Sequence, residues 1–566
     1  MSARSTNRPG VRNLLLSAAL SATLAACGGG GSSTSQPAPA PQPQPQPQPG
    51  PAPAPAPGFS FTLDTSKAIV WQGQQATVAV AVQRDAGFTD AIQFSADSLP
   101  TGATAGALSV AAGSNTGTLT LQAAITAPHS LPTAVTVKGT AGTVNASKPL
   151  TVTVRGAAGD IDTSFGGGTL VTPGGLTDDY VRGVAVQADG KAIVAGFGIT
   201  TVASGTDFML VRHLRDGGLD ASFGTGGKVS TAFNNGSRSD EAQAVAVQPD
   251  GKILVAGSSD QGASGYDFAL ARYNADGTLD TSFGSGGRVI TSFGNGADKA
   301  YALLVQADGK IVLAGDSDQG ASGSDFALAR YNADGSLDAG FGNGGKVLTP
   351  IGSGSTRETV YGLALQTVGG ASRLVAVGGE GDFIAAGYRA DGTLDASFGS
   401  GGIVRSLFGS VTGAARGVVV TPDNQLVLAG HRDHDFAAVR LLPNGALDAA
   451  FGTGGRAVVA VSASNWDEAT AIVRQADGRL LLGGWVYTGN SSSADTVLLR
   501  LKADGSADTA FGPGGIRTTA VAAGSKTDAG RALALQPDER VTTVRVLQAG
   551  EANGSDLDVV LMRHWL

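Results

Sequence analysis

The chain has 566 residues, and its 85 glycines and low content of charged residues, 15%, are typical of turn-rich β structure spread over more than one domain. Its formal net charge is −8, which becomes −11 when the first 26 residues and their three arginines are removed. Such a surface repels phosphate backbones and anionic lipid headgroups, so nucleic acid is disfavoured as a partner.

Residues 1–26 combine a basic stretch ending at Arg12 with an apolar run of leucines and alanines. The run is too short for a permanent membrane-spanning helix and is interpreted as a signal peptide. Cys27 follows and is the only cysteine, so the exported chain has no disulfide. Residues 24–27 resemble the lipobox of bacterial lipoproteins. This resemblance implies cleavage before Cys27, acylation of Cys27 as a membrane anchor and, from Gly28, sorting to the outer membrane.

Residues 27–58 read as a linker, rich in Gly and Ser at first and then alternating Pro with Ala or Gln. This composition cannot build a core. We expect the proline-rich part to form an extended polyproline II spacer of about 3.1 Å per residue that holds the folded part away from the membrane.

Residues 59–156 contain seven short segments of strand character separated by turn residues. This spacing predicts a β-sandwich, and Trp71 is expected in its core. The turn Leu99–Gly102 matches one that is common in bacterial immunoglobulin-like domains, which the segment resembles. The resemblance implies a spacer or docking module, although the antibody-type cysteine pair is absent.

Residues 160–566 repeat one pattern seven times. Its marker is an LDxSFG-like segment whose phenylalanines recur at intervals near 60 residues, at Phe165, Phe223, Phe283, Phe341, Phe398, Phe451 and Phe511. A unit of this size is too small for a core of its own and buries its apolar face against its neighbours.

One unit shows four strand segments. Residues 244–248 and 253–257 flank Asp250-Gly251, a dipeptide that favours a tight hairpin, and residues 267–273 and 287–291 supply a third and a fourth strand. Four antiparallel strands per period predict a propeller blade. The expected fold class is therefore all-β, with a seven-bladed β-propeller of four-stranded blades preceded by an immunoglobulin-like β-sandwich.

The repeat starts and stops out of phase. An outer strand within residues 160–172 precedes the first complete unit, and the chain ends on a third strand, residues 558–563. Pairing these two segments completes the last blade, closes the ring and removes the exposed edges.

The repeats closely resemble the delta-60 repeat family of bacterial surface proteins, as in LDASFGTGGKV at 219–229 and AVAVQPDGKILVAG at 244–257. The resemblance implies a propeller-like repeat domain on an exported protein and transfers no catalytic residue. The pattern is broken at three places, at Val368–Gly370, at Asp538-Glu539 and where Gly387 replaces an arginine. We expect those blades to be less regular.

Two charged positions recur in the repeats: the motif aspartates Asp162, Asp220, Asp280, Asp338, Asp395, Asp448 and Asp508, and the third-strand arginines Arg212, Arg272, Arg330, Arg440, Arg500 and Arg563. A calcium loop is one interpretation of the acidic turn after Asn274. However, Arg389 or Lys502 takes the place of Asn274 in other units, and a cation there repels calcium. We expect the aspartates to cap turns or to pair with the arginines.

Two histidines, His431 and His434, lie in a short segment that interrupts the repeat. They suggest a metal site, but Arg432 lies between them and no third ligand is identifiable, so we expect solvated loop residues.

Trp466, Asp467 and Glu468 form the second interruption of the repeat. Trp466 lies in a polar stretch and is a candidate for stacking on a sugar ring, whereas Trp485 is expected in the core. Asp467 and Glu468 are adjacent, so on a strand they point to opposite faces and cannot flank one glycosidic bond.

These patterns supply no catalytic, cofactor-binding or metal-ligating set, and no cofactor is predicted. Lipid anchor, stalk, sandwich and ring together predict a monomeric, non-enzymatic, surface-exposed binding or scaffold protein of the bacterial envelope, with a glycan or protein as ligand. A secreted propeller hydrolase or lyase acting on polysaccharide is the alternative, and a purely structural envelope component is a second one.

Overall fold

The computed structural model describes residues 57–130, 132–156, 158–175, 178–199, 205–234, 238–320, 323–352, 357–409, 412–462, 466–488, 493–521, 528–537, 544–553 and 557–566. Regular structure in these ranges is β-strand, apart from one short 3₁₀ helix at Pro513–Gly515. The predicted all-β class is confirmed. Within the same ranges, no helix has the length and apolar character needed to cross a bilayer. Cys27 and the rest of residues 1–56 lie outside the described residues.

Two sheets lie between Phe59 and Arg155. One contains, in spatial order, β1 (Phe59–Leu63), β3 (Gln75–Arg84), β7 (Thr116–Ala123) and β5 (Ala103–Ala105), and the other contains β2 (Lys67–Trp71), β9 (Val144–Arg155), β8 (Thr133–Ala141), β4 (Ile92–Asp97) and β6 (Leu108–Val110).

The inward side chains of both sheets share one core, in which the rings of Phe61 and Phe94 pack edge to face with centroids 5.0 Å apart. All seven predicted segments form strands. The prediction missed β5 and β6, which have three residues each and are too short to show an alternating pattern. Trp71 is only half-buried at the end of β2, so its expected place in the core is wrong.

Seven four-stranded antiparallel sheets follow, numbered here 1 to 7. Sheet 1 contains β11 (Asp179–Val186), β12 (Ala192–Ile199), β13 (Thr206–His213) and β14 (Lys228–Thr231); sheet 2 contains β15 (Asp240–Val247), β16 (Ile253–Asp260), β17 (Tyr266–Tyr273) and β18 (Arg288–Thr291); sheet 3 contains β19 (Asp298–Val305), β20 (Ile311–Asp318), β21 (Ser324–Tyr331) and β22 (Lys346–Thr349); sheet 4 contains β23 (Val360–Val368), β24 (Ala371–Gly378), β25 (Ile384–Tyr388) and β26 (Ile403–Val404). Sheet 5 contains β27 (Gly413–Val420), β28 (Leu426–Arg432), β29 (Asp435–Leu441) and β30 (Arg456–Val459); sheet 6 contains β31 (Asp467–Arg474), β32 (Leu480–Thr488), β33 (Ser493–Leu501) and β34 (Ile516–Thr519); sheet 7 contains β35 (Asp528–Pro537), β36 (Val544–Asn553), β37 (Leu557–Trp565) and β10 (Thr169–Thr172).

Each sheet packs its apolar face on the next one, as expected for a repeat that has no core of its own. Sheets 1 and 2, for example, share a buried cluster around Phe223, and sheets 2 and 3 share one around Phe283. Sheet 7 also packs on sheet 1, where Phe165 and Val181 meet Leu547. This succession of packed four-stranded sheets is propeller-like.

Sheet 7 joins the two ends of the repeat region, as predicted. Strand β10 pairs antiparallel with β37, in a register that sets Thr169 opposite Met562 and Thr172 opposite Val559. An N-terminal segment therefore serves as the outer strand of the last sheet and covers what is otherwise an open edge.

The hairpin at Val368–Gly370 is itself regular, although the sequence departs from the pattern there. Strands β23 and β24 stay in register up to the pair Val368 and Ala371, and the two-residue turn between them has positive φ at both Gly369 and Gly370. Two consecutive positive φ angles suit a tight hairpin, and glycine adopts them without steric cost. The departure at Asp538-Glu539 lies outside the described residues.

Candidate functional site

The repeated arginines and aspartates pair inside the sheets. Nε of Arg272 donates to Oδ2 of Asp280 at 2.7 Å, while the guanidinium lies 4.3 Å from the centre of the Phe283 ring. The other aspartate oxygen accepts the backbone N–H of Ser282 at 3.2 Å. Equivalent pairs at 2.7 to 2.9 Å are Arg212–Asp220, Arg330–Asp338, Arg440–Asp448, Arg500–Asp508 and Arg563–Asp162. The predicted structural role of both positions is confirmed.

A lysine immediately before the second strand reaches the same carboxylate in several sheets. Nζ of Lys252 donates to Asp280 at 2.8 Å, and Nζ of Lys310 donates to Asp338 at 2.7 Å. These bonds, with the neighbouring arginine, hold the pKa of Asp280 well below its ordinary value and lower the pKa of Asp338 to about 2. Asp280 and Asp338 are thus ionised partners of protein cations.

Sheet 4 lacks the third-strand arginine because Gly387 stands there, yet its charge pair is retained. Arg373, at the position of Lys252, donates Nε to Asp395 at 2.7 Å, and its guanidinium lies 5.1 Å from the Phe398 ring centre. A Cβ on Gly387 would lie 3.0 Å from both Arg373 and Phe398. The arginine has therefore moved one strand over. Sheet 4 is nevertheless less regular, as expected, because β25 has five residues and β26 two, whereas β17 and β18 of sheet 2 have eight and four.

His431 and His434 occupy different environments. His431 lies on β28 and is only 9% exposed, so the expectation of a solvated loop residue is wrong for it. His434 lies in a two-residue turn with φ +75°. Because the turn between β28 and β29 has only two residues, His431 lies within the paired strand and not in the turn. Among the described residues, no group of three or more His, Cys, Asp or Glu side chains is arranged to hold a metal ion.

Trp466 belongs to an open aromatic cluster, defined here as Trp466, His434, Trp485 and Tyr487. The Trp466 ring is 41% exposed and its centroid lies 4.2 Å from that of His434 and 6.4 Å from that of Trp485. Trp485 in turn lies 4.9 Å from Tyr487. Trp485 is half-buried beside Trp466, so its expected place in the core is wrong.

Asp467 and Glu468 face different surroundings. The Asp467 carboxylate accepts the backbone N–H groups of Phe436 at 2.8 Å and Val461 at 3.1 Å, and burial raises its pKa to about 6. Aspartates at the start of other first strands accept loop N–H groups in the same way, so Asp467 belongs to the repeated framework: Asp179, Asp240, Asp298 and Asp528.

Glu468 connects the aromatic cluster to a cavity. One of its oxygens accepts from Nε of Arg416 at 2.5 Å and lies 3.4 Å from Nδ1 of His431, whose ring centroid is 6.1 Å from that of Trp466. Although burial opposes ionisation, the contacts with His431 and Arg416 lower the pKa of Glu468 to about 2. Of the candidates, the structure thus brings together Trp466, Glu468 and the two histidines, and it turns Asp467 away.

The central cavity, of about 270 Å³, is lined by one side chain from each of the seven sheets together with Glu468. In order from sheet 1 to sheet 7, the seven are Arg182, Gln243, Tyr301, Tyr361, Arg416, Thr470 and Arg531. All seven occupy one position on the first strand of their sheet, which holds arginine in three sheets, tyrosine in two, and glutamine and threonine in one each. They are the varying position in a regular framework.

A β-bulge aims each of these side chains. The pairing of first and second strands shifts by one residue at this position in every sheet, between Ala242 and Ala244 around Gln243 in sheet 2, for example. The bulged strand approaches its partner closely, because a Cβ on Gly257 would lie 1.9 Å from the Glu241 carbonyl oxygen. The second-strand residue that pairs just before the bulge is glycine in each sheet: Gly196, Gly257, Gly315, Gly378, Gly430, Gly484 and Gly550.

The wall of the central cavity has a basic part and an aromatic part. At the junction of sheets 7 and 1, Arg531 donates Nε to Glu551 at 2.7 Å and Nη1 of Arg182 lies 3.4 Å from the same carboxylate. On sheets 3 and 4, the rings of Tyr301 and Tyr361 lie 5.4 Å apart. The guanidinium of Arg416 stacks 4.1 Å above the Tyr361 ring.

Reasoning from single motifs missed these seven residues. The signal is present in the chain as a position that varies from unit to unit between constant small apolar neighbours, as at Gln243 between Ala242 and Ala244. The alternation of side chains along a strand predicts which face such a residue lies on. The bulge that turns it toward the cavity depends on the pairing of two strands, which the sequence of one strand does not show.

Comparison with known proteins supports the propeller and the repeats. Five segments, residues 187–223, 248–283, 306–341, 421–451 and 475–511, match the β-propeller family DUF5122, described as a domain of unknown function. A search of curated proteins finds no match. The β-propeller character is thus supported by family and structure, whereas the delta-60 name and the immunoglobulin-like class stay predictions.

Among solved structures, domains 4 and 5 of the S-layer protein SbsC match with 25% identity over 17% of this chain and 53% of theirs, at a TM-score of 0.14. A structure of SbsC domains 1–6 matches with 15% identity over 43% of this chain and 26% of its own length, at 0.15. A DUF4784 family protein from Bacteroides caccae matches with 11% identity over 88% of this chain and 92% of its own, at 0.22. This chain spans about half or less of the two SbsC structures, and similarities at these scores carry no functional argument.

Proposed function

We propose that this chain is a non-enzymatic, envelope-anchored binding protein that displays a seven-bladed β-propeller behind an immunoglobulin-like module. Its ligand binds at the central cavity and the adjoining aromatic cluster. The observation that carries the proposal is the varying position: seven sheets direct seven side chains, of four kinds, into one space. Sites tend to lie where a repeat breaks its own rule, and a cavity with convergent polar groups is the usual place for a ligand.

The ring is supported by one set of contacts that recurs from sheet to sheet. Nη1 of Arg330 on sheet 3 donates to the carbonyl of Ala390 in sheet 4 at 2.6 Å. Nη1 of Arg563 on sheet 7 donates to the carbonyl of Arg215 in sheet 1 at 2.7 Å. The last sheet thus contacts the first through the same kind of bond that joins sheet 3 to sheet 4, and this supports a closed seven-bladed propeller.

The anchor rests on the signal peptide and the lipobox-like residues before Cys27, which lie outside the described residues. In the bacterium that encodes the chain, Cys27→Ser removes the acceptor thiol and should move the protein from the membrane fraction to the soluble fraction. Metabolic palmitate labelling should be lost in parallel. Labelling that persists in the variant would contradict the anchor and leave the binding site untouched.

Binding is favoured over hydrolysis by the state of the acids beside the cavity. Glu468 is held ionised by Arg416 and His431, so it has no proton to donate to a leaving group. Asp467 is buried against loop backbone. The pKa of Asp467 is raised, but the residue is fully buried and both of its oxygens are bound by loop N–H groups, so it cannot reach a substrate. Neither residue is therefore placed to protonate a leaving group, and a polysaccharide hydrolase or lyase stays the alternative to be tested.

The test is a glycan and protein binding array with the full-length chain, together with a hydrolase and lyase activity screen. Trp466→Ala should abolish or strongly weaken saturable binding, because the exposed ring offers a stacking face. Ile125→Ala, at a side chain 77% exposed on the N-terminal sandwich, is the control and should bind normally. Turnover that disappears in Glu468→Gln would replace the proposal with the enzyme, and a chain that binds nothing on the array would favour the structural envelope component.

A further inference from the structure

We infer that the ligand is an acidic sugar, a saccharide that carries a carboxylate, and that this carboxylate binds between Arg182 and Arg531 at the junction of sheets 7 and 1. The inference rests on the proposed function and specifies its ligand. Of the three arginines that line the cavity, Arg416 has a carboxylate partner of its own, whereas Arg182 and Arg531 share one. The inference follows from this difference.

Arg182 and Arg531 have a single carboxylate between them. Glu551 is 3% exposed, and it accepts from the backbone N–H of Val181 at 3.1 Å as well as from both guanidinium groups. Two cations thus share one anion, which leaves about one positive charge facing the cavity. A second carboxylate can accept the guanidinium N–H groups that point away from Glu551, in the bidentate geometry that arginine favours.

Three other cations near the cavity each have a carboxylate partner. Arg416 is matched by Glu468, Lys299 donates to Glu241 at 3.2 Å, and Arg357 lies 3.4 Å from Asp316. Burial, followed by the nearby charge of Arg531, lowers the pKa of Arg182 against the opposing effects of Glu551 and Glu241. A bound anion counteracts this cost at the junction.

The rest of the wall suits a sugar better than a bare inorganic anion. Tyr301 and Tyr361 are partly exposed and present an aromatic surface, while Gln243 and Thr470 offer hydrogen-bonding groups for hydroxyls. Glu468 in the cavity wall lies 3.4 Å from His431, whose ring centroid is 6.1 Å from that of Trp466, and the exposed Trp466 ring offers a stacking face for a further sugar unit. A cation for the carboxylate and aromatic faces for the rings fit a short acidic oligosaccharide.

The test compares two probes that differ only in charge: a tetramer of galacturonic acid and the same tetramer after reduction of its carboxyl groups. Isothermal titration calorimetry with the full-length chain should detect binding of the acidic tetramer and at least tenfold weaker binding of the reduced one. Arg531→Gln and Arg182→Gln should each raise the Kd for the acidic tetramer about tenfold or more, because each removes a charge-assisted hydrogen-bond donor.

Arg238→Gln is the matched control, since it removes one positive charge from a residue that does not line the cavity. It should leave the Kd within about twofold, as expected for a partly exposed and screened charge. Circular dichroism melting verifies that each variant is folded. Arg531→Lys, which keeps the charge at Glu551 and loses the fork, should retain part of the affinity and serves if Arg531→Gln fails to fold.

The outcomes separate the ligand from the site. Equal affinity for the acidic and the reduced tetramer, with both lost in Trp466→Ala, overturns the acidic ligand and retains the binding function. Binding of inorganic phosphate, with no binding of either tetramer, also overturns the acidic-sugar ligand and favours a small-anion site. Absence of any ligand for the chain, on the array and in calorimetry alike, overturns both proposals.

Discussion

The pair of Asp162 and Arg563 tests how the two ends of the repeat region hold together. Its partners are 401 residues apart in the chain, and Nε and Nη2 of Arg563 both lie 2.8 Å from Oδ2 of Asp162. The side chains are 0% and 3% exposed. In Asp162→Asn, the amide keeps an oxygen for Ser164 but no longer neutralises the buried guanidinium. Breaking a buried ion pair in this way costs about 3–5 kcal/mol of unfolding free energy.

Urea denaturation of the full-length chain should show this loss, and hydrogen exchange should show where it acts. We expect faster exchange of the β10 and β37 amides in Asp162→Asn, because the pair holds β10 on the last sheet. Asp280→Asn is the control. It breaks the equivalent pair with Arg272 within one unit and should cost a similar free energy without loosening β10. Unchanged exchange at β10 together with unchanged stability in Asp162→Asn would refute the closure argument.

Three further predictions concern the framework of the sheets. Phe283→Ala removes a fully buried ring between sheets 2 and 3 and should lower the unfolding free energy by about 3–5 kcal/mol in urea titrations, whereas Ile290→Ala, at a side chain 37% exposed, should change it little. Arg373→Gln should lower the melting temperature more than Lys252→Gln, because Asp280 retains Arg272 whereas sheet 4 has no third-strand arginine; equal losses would contradict the compensation. The pKa of Asp467 is raised to about 6 from an ordinary 3.8, so the folded chain binds its proton more tightly and this group stabilises the fold increasingly as pH falls from about 7 toward 4; in Asp467→Asn that part of the pH dependence of unfolding should vanish, and an unaltered profile would contradict it.

Much of the fold can be predicted from the sequence because its information is local and repeated. The period of the phenylalanines, the hairpin dipeptide at Asp250-Gly251 and the out-of-phase ends predict four-stranded units and the pairing of β10 with β37. The repeated arginines and aspartates predict ion pairs, because complementary charges recur together in unit after unit. Each of these inferences needs only neighbours in the chain or the comparison of one unit with the next.

Only part of the candidate site can be predicted from the sequence in this way. Trp466 and Glu468 stand out as interruptions of the repeat, but Asp467 stands beside them and serves the same loop-capping role as Asp240 in a regular unit. His431 reads as part of a loop, although the short turn after it leaves it buried on a strand. Such distinctions depend on strand register, which one residue of slippage reverses.

What the sequence alone determined is the local chemistry of a unit: its strands, its turns, its buried charge pair and the number of times they recur. The tertiary structure, in contrast, brings together residues that are distant in the chain. Arg182 and Arg531 share Glu551 because sheet 7 packs on sheet 1, and the bulge on each first strand turns one side chain toward a common space. The physical reason is that a bulge and a sheet-to-sheet contact arise from pairing between segments, so they leave only a weak trace, a varying residue among constant ones, in any single unit.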